Sequence, residues 1–171
     1  MKKLLFAVLS LVLICACSEE KKPTKLADTK NKDIVIEDST VYGKCFDAAR
    51  VTFVLATASG DTLTYYIPDD TLEDNRIVLG SLFVDDQYAV IGYQDADGEN
   101  IAKKIINLTT LMGEWEDKAS GRTLDLNEDL TWIKNGNIIS EKDTFSIYDL
   151  GSDTLTLENK DGIMFFSRSK K

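Results

Sequence analysis

The residue types that could carry out chemistry are unevenly represented in this chain. It contains no histidine, three cysteines and 29 aspartate and glutamate residues in a length of 171. The missing histidine excludes Ser-His-Asp and Cys-His catalysis, together with every metal site that needs an imidazole ligand. Among enzymes, these residue types best allow a glycosidase that works through two carboxylates. No local motif selects two particular carboxylates, so the sequence favours a protein without an enzymatic activity, a metal ion or a cofactor.

Two of the cysteines lie in an N-terminal segment with the pattern of a secretory signal. Two lysines precede an apolar run at residues 4–15, which is shorter than the ~20 apolar residues that cross a bilayer. The sequence Ile14-Cys15-Ala16-Cys17 resembles the lipobox of bacterial lipoproteins. This resemblance implies cleavage between Ala16 and Cys17, removal of residues 1–16, and a membrane anchor of diacylglycerol on the Cys17 sulfur with a further acyl chain, such as palmitate, on its amino group. An ordinary signal peptide is the alternative.

The residues after Cys17 predict the destination of the protein. Ser18, Glu19 and Glu20 resemble the acidic surface-export signal of Bacteroidota lipoproteins. The resemblance implies a lipid-anchored protein of the outer membrane that is exposed at the cell surface. The alternative is that these residues only begin a linker and the protein faces the periplasm. Residues 17–33 are polar and lack apolar periodicity, which predicts a flexible tether with a reach of about 20–24 Å.

Charge limits the partners of the folded part. The chain has 20 basic against 29 acidic residues, a formal charge of −9, and removal of the signal takes away two of the lysines. Phosphate backbones are bound by surfaces lined with Lys and Arg, and no basic stripe is visible, so the sequence argues against nucleic acid. Once Cys15 is removed and Cys17 is acylated, Cys45 has no partner for an intrachain disulfide, and we expect a buried, inert thiol.

The segment 34–108 has the period-two alternation of antiparallel strands. Residues 50–67 predict one hairpin around the turn at 59–61, and residues 88–93 and 101–108 predict a second around Asp95-Ala96-Asp97-Gly98. That acidic turn lacks the glycine and glutamate positions of an EF-hand, so we interpret it as turn chemistry rather than a calcium loop. The pattern predicts a small OB-like or Greek-key β-barrel in an all-β protein.

Residues 109–171 predict an up-and-down meander of short strands separated by turn residues. The predicted strands lie around Trp115 and at 123–126, 130–133, 137–140, 145–150, 155–158 and 163–168. The triplet Asp-Thr-Leu recurs without a fixed period, and it resembles O-glycosylation sites of Bacteroidota proteins at Thr62, Thr71 and Thr154.

The start of this meander carries a family motif. Gly113-Glu114-Trp115 resembles the Gly-x-Trp signature of lipocalins, and Arg168 in the last strand matches the arginine that packs over that tryptophan. The resemblance is to the compact lipocalin-like lipoproteins of Bacteroidota, and it implies a lipocalin-like β-domain at 109–171. The roles it implies for Gly113, Trp115 and Arg168 are structural.

These observations favour a lipid-anchored binding protein whose lipocalin-like module holds a small apolar ligand or a partner protein. Candidate ligand-lining residues are Trp132, Phe145, Tyr148 and Phe165. Because the strands are only about 14–20 Å long at ~3.4 Å per residue, we expect a shallow or filled cavity. The alternatives are a structural subunit of a surface complex and, less favoured, the carboxylate glycosidase.

Overall fold

The computed structural model describes residues 38–69, 76–141 and 143–169, and strands make up 58% and helix 3% of them. The predicted all-β class, a small barrel followed by an antiparallel meander, is therefore confirmed. The predicted signal (1–16) and tether (17–33) lie outside the described residues.

The first sheet is a closed barrel built from two hairpins and the strands that join them. Its strands are β1 (Val41–Ala48), β2 (Thr52–Thr57), β3 (Thr62–Tyr66), β4 (Val78–Leu79), β5 (Gln87–Gln94) and β6 (Asn100–Asn107). The order is β3-β2-β1-β5-β6-β4, and parallel pairing of β3 with β6 closes the five longer strands into a barrel. Both predicted hairpins, β2–β3 and β5–β6, are confirmed.

A short helix that the sequence did not predict follows the barrel. Helix α1 (Leu108–Leu111) begins after Asn107, whose side-chain oxygen accepts a hydrogen bond from the Thr110 amide at 2.8 Å. This capping bond satisfies one of the amide groups that a helix start leaves unpaired. The helix carries the chain from the first sheet into the second.

The second sheet is a meander that curls into a half-barrel. Its strands are β7 (Gly113–Asp117), β8 (Arg122–Leu126), β9 (Ile133–Lys134), β10 (Asn137–Ile139), β11 (Thr144–Leu150), β12 (Thr154–Asn159) and β13 (Gly162–Arg168). The order is β8-β7-β13-β12-β11-β10-β9, so the last strand pairs with the first while β8 and β9 form the two free edges. The sheet therefore remains open between β8 and β9.

The predicted strand at residues 130–133 is wrong. Leu130 has a positive φ of 55°, and the Trp132 indole N–H donates to the Asn127 carbonyl at 2.7 Å, so this stretch is a turn and β9 begins only at Ile133. Leu130 and Trp132 are apolar because they pack against or within the hydrophobic core, not because they alternate on a strand. Apolar spacing in so short a segment does not separate these two cases.

The hydrophobic core consists of two clusters, and the first sheet contributes to both. Inside the barrel lie Phe53, Leu55, Tyr65, Tyr88, Val90 and Ile105 with their neighbours. The second cluster fills the curl of the meander, and Leu79, Ala89 and Ile106 of the first sheet pack into it. Because side chains alternate across a strand, Tyr88 and Ala89 enter different clusters. The described residues all belong to one compact unit, and the chain passes from the first sheet to the second between Asn107 and Gly113.

Candidate functional site

The lipocalin-like motif residues meet at the end of the second sheet. The Arg168 guanidinium carbon lies 4.1 Å from the centroid of the Trp115 ring, and Trp115 is fully buried. Arg168 also donates to three backbone carbonyls, those of Ser152 at 2.9 Å, Met112 at 2.9 Å and Thr110. The Trp115 indole N–H donates to the Leu111 carbonyl at 2.8 Å. The cluster thus connects α1 to β7 and β13, the first and last strands of the meander in sequence.

The Arg168 side chain leaves no room for a side chain at position 113, so this position requires glycine. The φ of Gly113 is +128°, a conformation that side-chain-bearing residues rarely adopt, and a Cβ there would lie 2.6 Å from Arg168 Nη1. The glycine leaves the space that the guanidinium occupies. The geometry of this motif is that of a packed structural cluster around the buried Trp115 ring.

The four predicted ligand-lining residues do not share one cavity. Trp132 and Phe145 belong to the packed core of the meander, whereas Tyr148 and Phe165 are 47% and 70% exposed. A cavity of about 330 Å³ lies between β8 and the β10–β11 hairpin, and Phe145 contributes to its wall with the Arg122 guanidinium carbon 5.9 Å from its ring centroid. Alternation along β11 itself places Phe145 and Tyr148, three positions apart, on opposite faces, and in β13 Phe166 rather than Phe165 faces the core.

A more apolar space lies beside the barrel, and we name it the crevice. It has a volume of about 400 Å³ and extends from β1 and β2 to the start of β5, with α1 and the turn before β9 at its other side. It is lined by Tyr42, Gly43, Lys44, Ala56, Thr57, Ala58, Gln87, Tyr88, Leu108 and Leu130. The lining is mostly apolar, and the exposed residues Lys44 and Gln87 supply its polar groups at the surface.

Gly43 allows the backbone of β1 to approach β2 closely at the crevice. A Cβ on Gly43 would overlap the Ala56 carbonyl oxygen and lie 2.9 Å from Leu55 Cγ. A glycine inside a strand often marks such a close approach. A glycine in the middle of an alternating segment is the sequence signal that marks the position of the crevice.

A buried polar network holds Tyr88, which is completely buried where the crevice meets the barrel core. The Tyr88 hydroxyl accepts from the Phe83 amide at 2.8 Å and from Asn107 Nδ2 at 3.0 Å, and it donates to the Ser81 carbonyl at 3.0 Å. Asn107, which is completely buried, donates further to Asp86 Oδ2 at 2.8 Å. Burial raises the pKa of Tyr88. The ring is thus held in one orientation as a neutral phenol.

Tyr42 also lines the crevice, and it lies on the other face of the first sheet from Tyr88, because its partner in β5 is Ala89. Its hydroxyl donates to the Ile133 carbonyl at 3.5 Å, which connects β1 to β9. Burial, and after it the charge of Asp38, raises the pKa of Tyr42. The residues that line the crevice are mostly apolar, a composition typical of sites for small, largely apolar molecules.

No family model, no curated protein and no solved structure matches this chain. The resemblance to lipocalin-like lipoproteins therefore rests on the motif residues themselves. The arrangement of Gly113, Trp115 and Arg168 gives that motif a structural role here, and none of the three residues lines the crevice.

The remaining residues singled out in the sequence fall at separate places. Cys45 is buried, as predicted, with 1% exposure and a free thiol. Thr62 and Thr154 are exposed at strand starts, whereas Thr71 lies outside the described residues. The lipidation, cleavage and export residues Ala16, Cys17, Ser18, Glu19 and Glu20 also lie outside them.

The acidic turn between β5 and β6 is organised by hydrogen bonds within the chain. Asp95 Oδ1 accepts from the amides of Asp97 at 3.0 Å and Glu99 at 2.9 Å, and Gly98 has a positive φ of 83°. The interpretation as turn chemistry is confirmed by this geometry. Within the described ranges, no three Cys, Asp or Glu side chains are placed to hold a metal ion. The same ranges hold no helix with the length and apolar character needed to span a bilayer.

Proposed function

We propose that this chain is a lipid-anchored binding protein of the bacterial outer membrane that holds a small, largely apolar molecule in the crevice. The observation that carries the proposal is the crevice itself, a mostly apolar space of about 400 Å³. Ligand pockets commonly measure about 300–1,000 Å³ and combine apolar walls with a few polar groups. No enzymatic step enters the proposal.

The lining indicates how a ligand would be oriented. Leu108 and Leu130 lie in the part of the lining contributed by α1 and the turn before β9, whereas Lys44 and Gln87 are exposed. An apolar body would therefore lie along the apolar lining, with a polar end that accepts hydrogen bonds near Lys44 and Gln87. The half-barrel interior is filled by packed side chains, so the site differs from the cup that a lipocalin uses.

Binding in the crevice is tested by filling it. Ala58 is exposed and lines the crevice, and Ala96 is exposed in the β5–β6 turn, so Ala58→Trp and Ala96→Trp are a matched pair. With anilinonaphthalene sulfonate as the apolar probe, we expect Ala58→Trp to weaken binding at least tenfold and Ala96→Trp to leave it unchanged. Equal binding by both variants would place the dye elsewhere and count against the crevice.

The natural ligand is tested on protein purified from its own host. Native mass spectrometry is expected to show a co-purifying small molecule with the wild-type chain and to show less of it with Ala58→Trp. A wild-type protein that carries no small molecule would favour binding of a partner protein instead.

The anchor is tested separately. Labelling of cells with a fatty acid is expected to mark the wild-type protein and the Cys15→Ser variant, since Cys15 is removed with the signal, and to leave Cys17→Ser unmarked. If Cys17→Ser still fractionates with membranes, the proposed anchor is wrong. Surface exposure is tested by protease treatment of intact cells, which should degrade the wild-type protein.

A docking role for a protein partner is the second candidate, and one exposed apolar surface favours it. Phe46 is 69% exposed, and Phe83 and Val84 are 58% and 55% exposed. Backbone hydrogen bonds between Cys45 and residues 85 and 86 bring β1 beside the segment that carries Phe83 and Val84. Crosslinking in cells should then recover a specific neighbour that Phe46→Ser loses and Phe165→Ser retains.

A further inference from the structure

A second cavity, which we name the basic cleft, lies between the two sheets and shares no lining residue with the crevice. It has a volume of about 320 Å³ and is lined by Arg76, Lys103, Lys104, Ser146, Ile147, Tyr148 and Glu158. Three cations and one carboxylate therefore surround it, in a chain whose formal charge is −9. Such a local excess of positive charge in an acidic protein attracts anions.

Two β-bulges, one in each sheet, aim side chains into the basic cleft. In the β5–β6 ladder Ile91 pairs with Lys104 and Gly92 with Ala102, so Lys103 is the extra residue. Successive side chains of a regular strand point to opposite faces, yet the bulge lets Lys103 and Lys104 both line the cleft. Bulges are over-represented beside functional sites, where they re-aim a side chain.

The second bulge supplies the aromatic group on the opposite side. In the β11–β12 ladder Ile147 pairs with Leu157 and Asp149 with Thr156, so Tyr148 is the extra residue. Tyr148 lines the cleft and stays 47% exposed, and the exposed Ser146, whose hydroxyl donates to Asn137 Oδ1 at 3.1 Å, adds a second hydroxyl oxygen. The cleft thus combines ammonium groups with two hydroxyls and the face of a phenol.

The two lysines have few partners inside the protein. Lys103 Nζ lies 5.0 Å from the centroid of the Tyr93 ring. Among the described residues, the ammonium group of neither lysine forms a salt bridge or a side-chain hydrogen bond. Lys104 is half-buried, and burial lowers the pKa of its ammonium group. A partly desolvated cation without a counter-ion gains more from a bound anion than an exposed lysine does.

Arg76 is the third cation, and it is already paired. Its Nη1 lies 2.5 Å from Asp149 Oδ1, with both side chains substantially exposed. This surface pair is weak, so a ligand carboxylate or phosphate could share the guanidinium. Glu158 opposes anion binding, which makes it a useful test residue.

We propose that the basic cleft binds a small oxyanion, a carboxylate or phosphate group carried on a hydroxylated molecule such as an acidic monosaccharide. The ammonium groups of Lys103 and Lys104 would bind the anionic oxygens, while the Ser146 and Tyr148 hydroxyls would bind neighbouring polar groups. The site is independent of the crevice, and either one can fail without the other.

The test is a titration of the full chain observed through backbone amide resonances, with three probes: glucuronate, inorganic phosphate and neutral glucose. We expect saturable shifts at Lys103, Lys104 and Tyr148 with glucuronate and phosphate and none with glucose. Tighter binding of glucuronate than of phosphate would identify the acidic sugar, and the reverse would identify the bare oxyanion. Shifts of equal size with glucose would overturn the role of charge.

Variants separate the site from general electrostatic attraction. Lys103→Met and Lys104→Met keep the apolar stems, and each is expected to weaken binding about tenfold, the loss of one charge-assisted hydrogen bond. Lys118→Met removes an exposed lysine in the β7–β8 turn and should have no effect. Glu158→Gln should tighten binding severalfold. If Lys118→Met and Lys104→Met behave alike, or Glu158→Gln weakens binding, the proposal is wrong.

Discussion

Replacement of Gly113 by alanine is expected to destabilise the protein through two separable effects. The first is the backbone, because φ at Gly113 is +128° and residues with a side chain pay about 1–3 kcal/mol in that region. The second is the contact of the new Cβ with Arg168 Nη1 at 2.6 Å. The end of an arginine is flexible, so the cost of this contact depends on what holds the guanidinium in place.

Arg168 is held strongly enough for the contact to matter. It donates to three carbonyls and lies over the Trp115 ring. Moving the guanidinium away loses the bond to the Met112 carbonyl, worth about 1.5–3 kcal/mol for a charged donor, and part of a cation–π contact worth about 0.5–2 kcal/mol. Discounted for the partial exposure of Arg168, we expect the contact to add about 2 kcal/mol to the backbone cost.

The chain supplies its own control. Gly162 has a φ of +129°, and a Cβ there would meet nothing within 4 Å, so Gly162→Ala measures the backbone cost alone. Urea unfolding followed by tryptophan fluorescence gives the free energy of unfolding for both variants. Gly113→Ala should lose about 2 kcal/mol more than Gly162→Ala.

A double-mutant cycle then assigns that excess. In an Arg168→Ala background the Cβ of Ala at position 113 has no guanidinium to displace, so Gly113→Ala should cost only as much as Gly162→Ala. Independent sites are additive within about 0.5 kcal/mol. If Gly113→Ala and Gly162→Ala differ by less than that, or the cycle is additive, the reasoning about Arg168 is refuted.

Three further predictions concern stability and reactivity. Asn107→Ala should lower the free energy of unfolding, measured in urea, by about 2–4 kcal/mol, because it leaves the Tyr88 network and the start of α1 without a partner. The control Asn100→Ala removes only a surface hydrogen bond to the Thr64 carbonyl and should cost less than about 1 kcal/mol. Hydrogen bonds from the Ser120 hydroxyl and the Ala119 amide lower the pKa of Asp117 below 3.8. The contribution of Asp117 to stability is therefore present above that value and lost as the pH falls through the folded pKa. Asp117→Asn should make the free energy of unfolding fall less steeply at acid pH, and an unchanged slope would contradict this role of Asp117. Burial raises the pKa of the Cys45 thiol, and the charges of Asp47, Asp86 and Asp85 raise it further. A chromogenic disulfide reagent should therefore label Cys45 in the native protein only as fast as the protein unfolds. Rapid labelling without denaturant would disprove burial of the thiol.

Local sequence determined the elements whose information is local. The hairpin β2–β3 follows from the period-two spacing of Phe53 and Leu55 in one strand and of Leu63 and Tyr65 in the next, and from the turn at Gly60. The β5–β6 turn follows from an aspartate and a glycine at the positions that a tight turn requires. Each depends on residues a few positions apart, so period and turn chemistry are sufficient to predict it.

Tertiary packing decided the elements for which local signals conflict. Leu130 and Trp132 have the composition of a strand, yet they form a turn because the core accepts their side chains from there. Helix α1 is only four residues long and is held by the Asn107 cap and by the contacts of Arg168. No periodicity of that length can announce a helix.

The candidate sites were the least accessible to sequence reasoning. The lipobox, the acidic residues after it and the Gly-x-Trp motif are contiguous and can be recognised by type and spacing alone. The crevice instead depends on the close approach of β1 to β2 at Gly43. The basic cleft depends on the packing of the two sheets, which brings Lys103 of β6 and Tyr148 of β11, each at a bulge, to the same cavity. Register between strands distant in sequence is set by how both faces pack, and that information exists only in the folded chain.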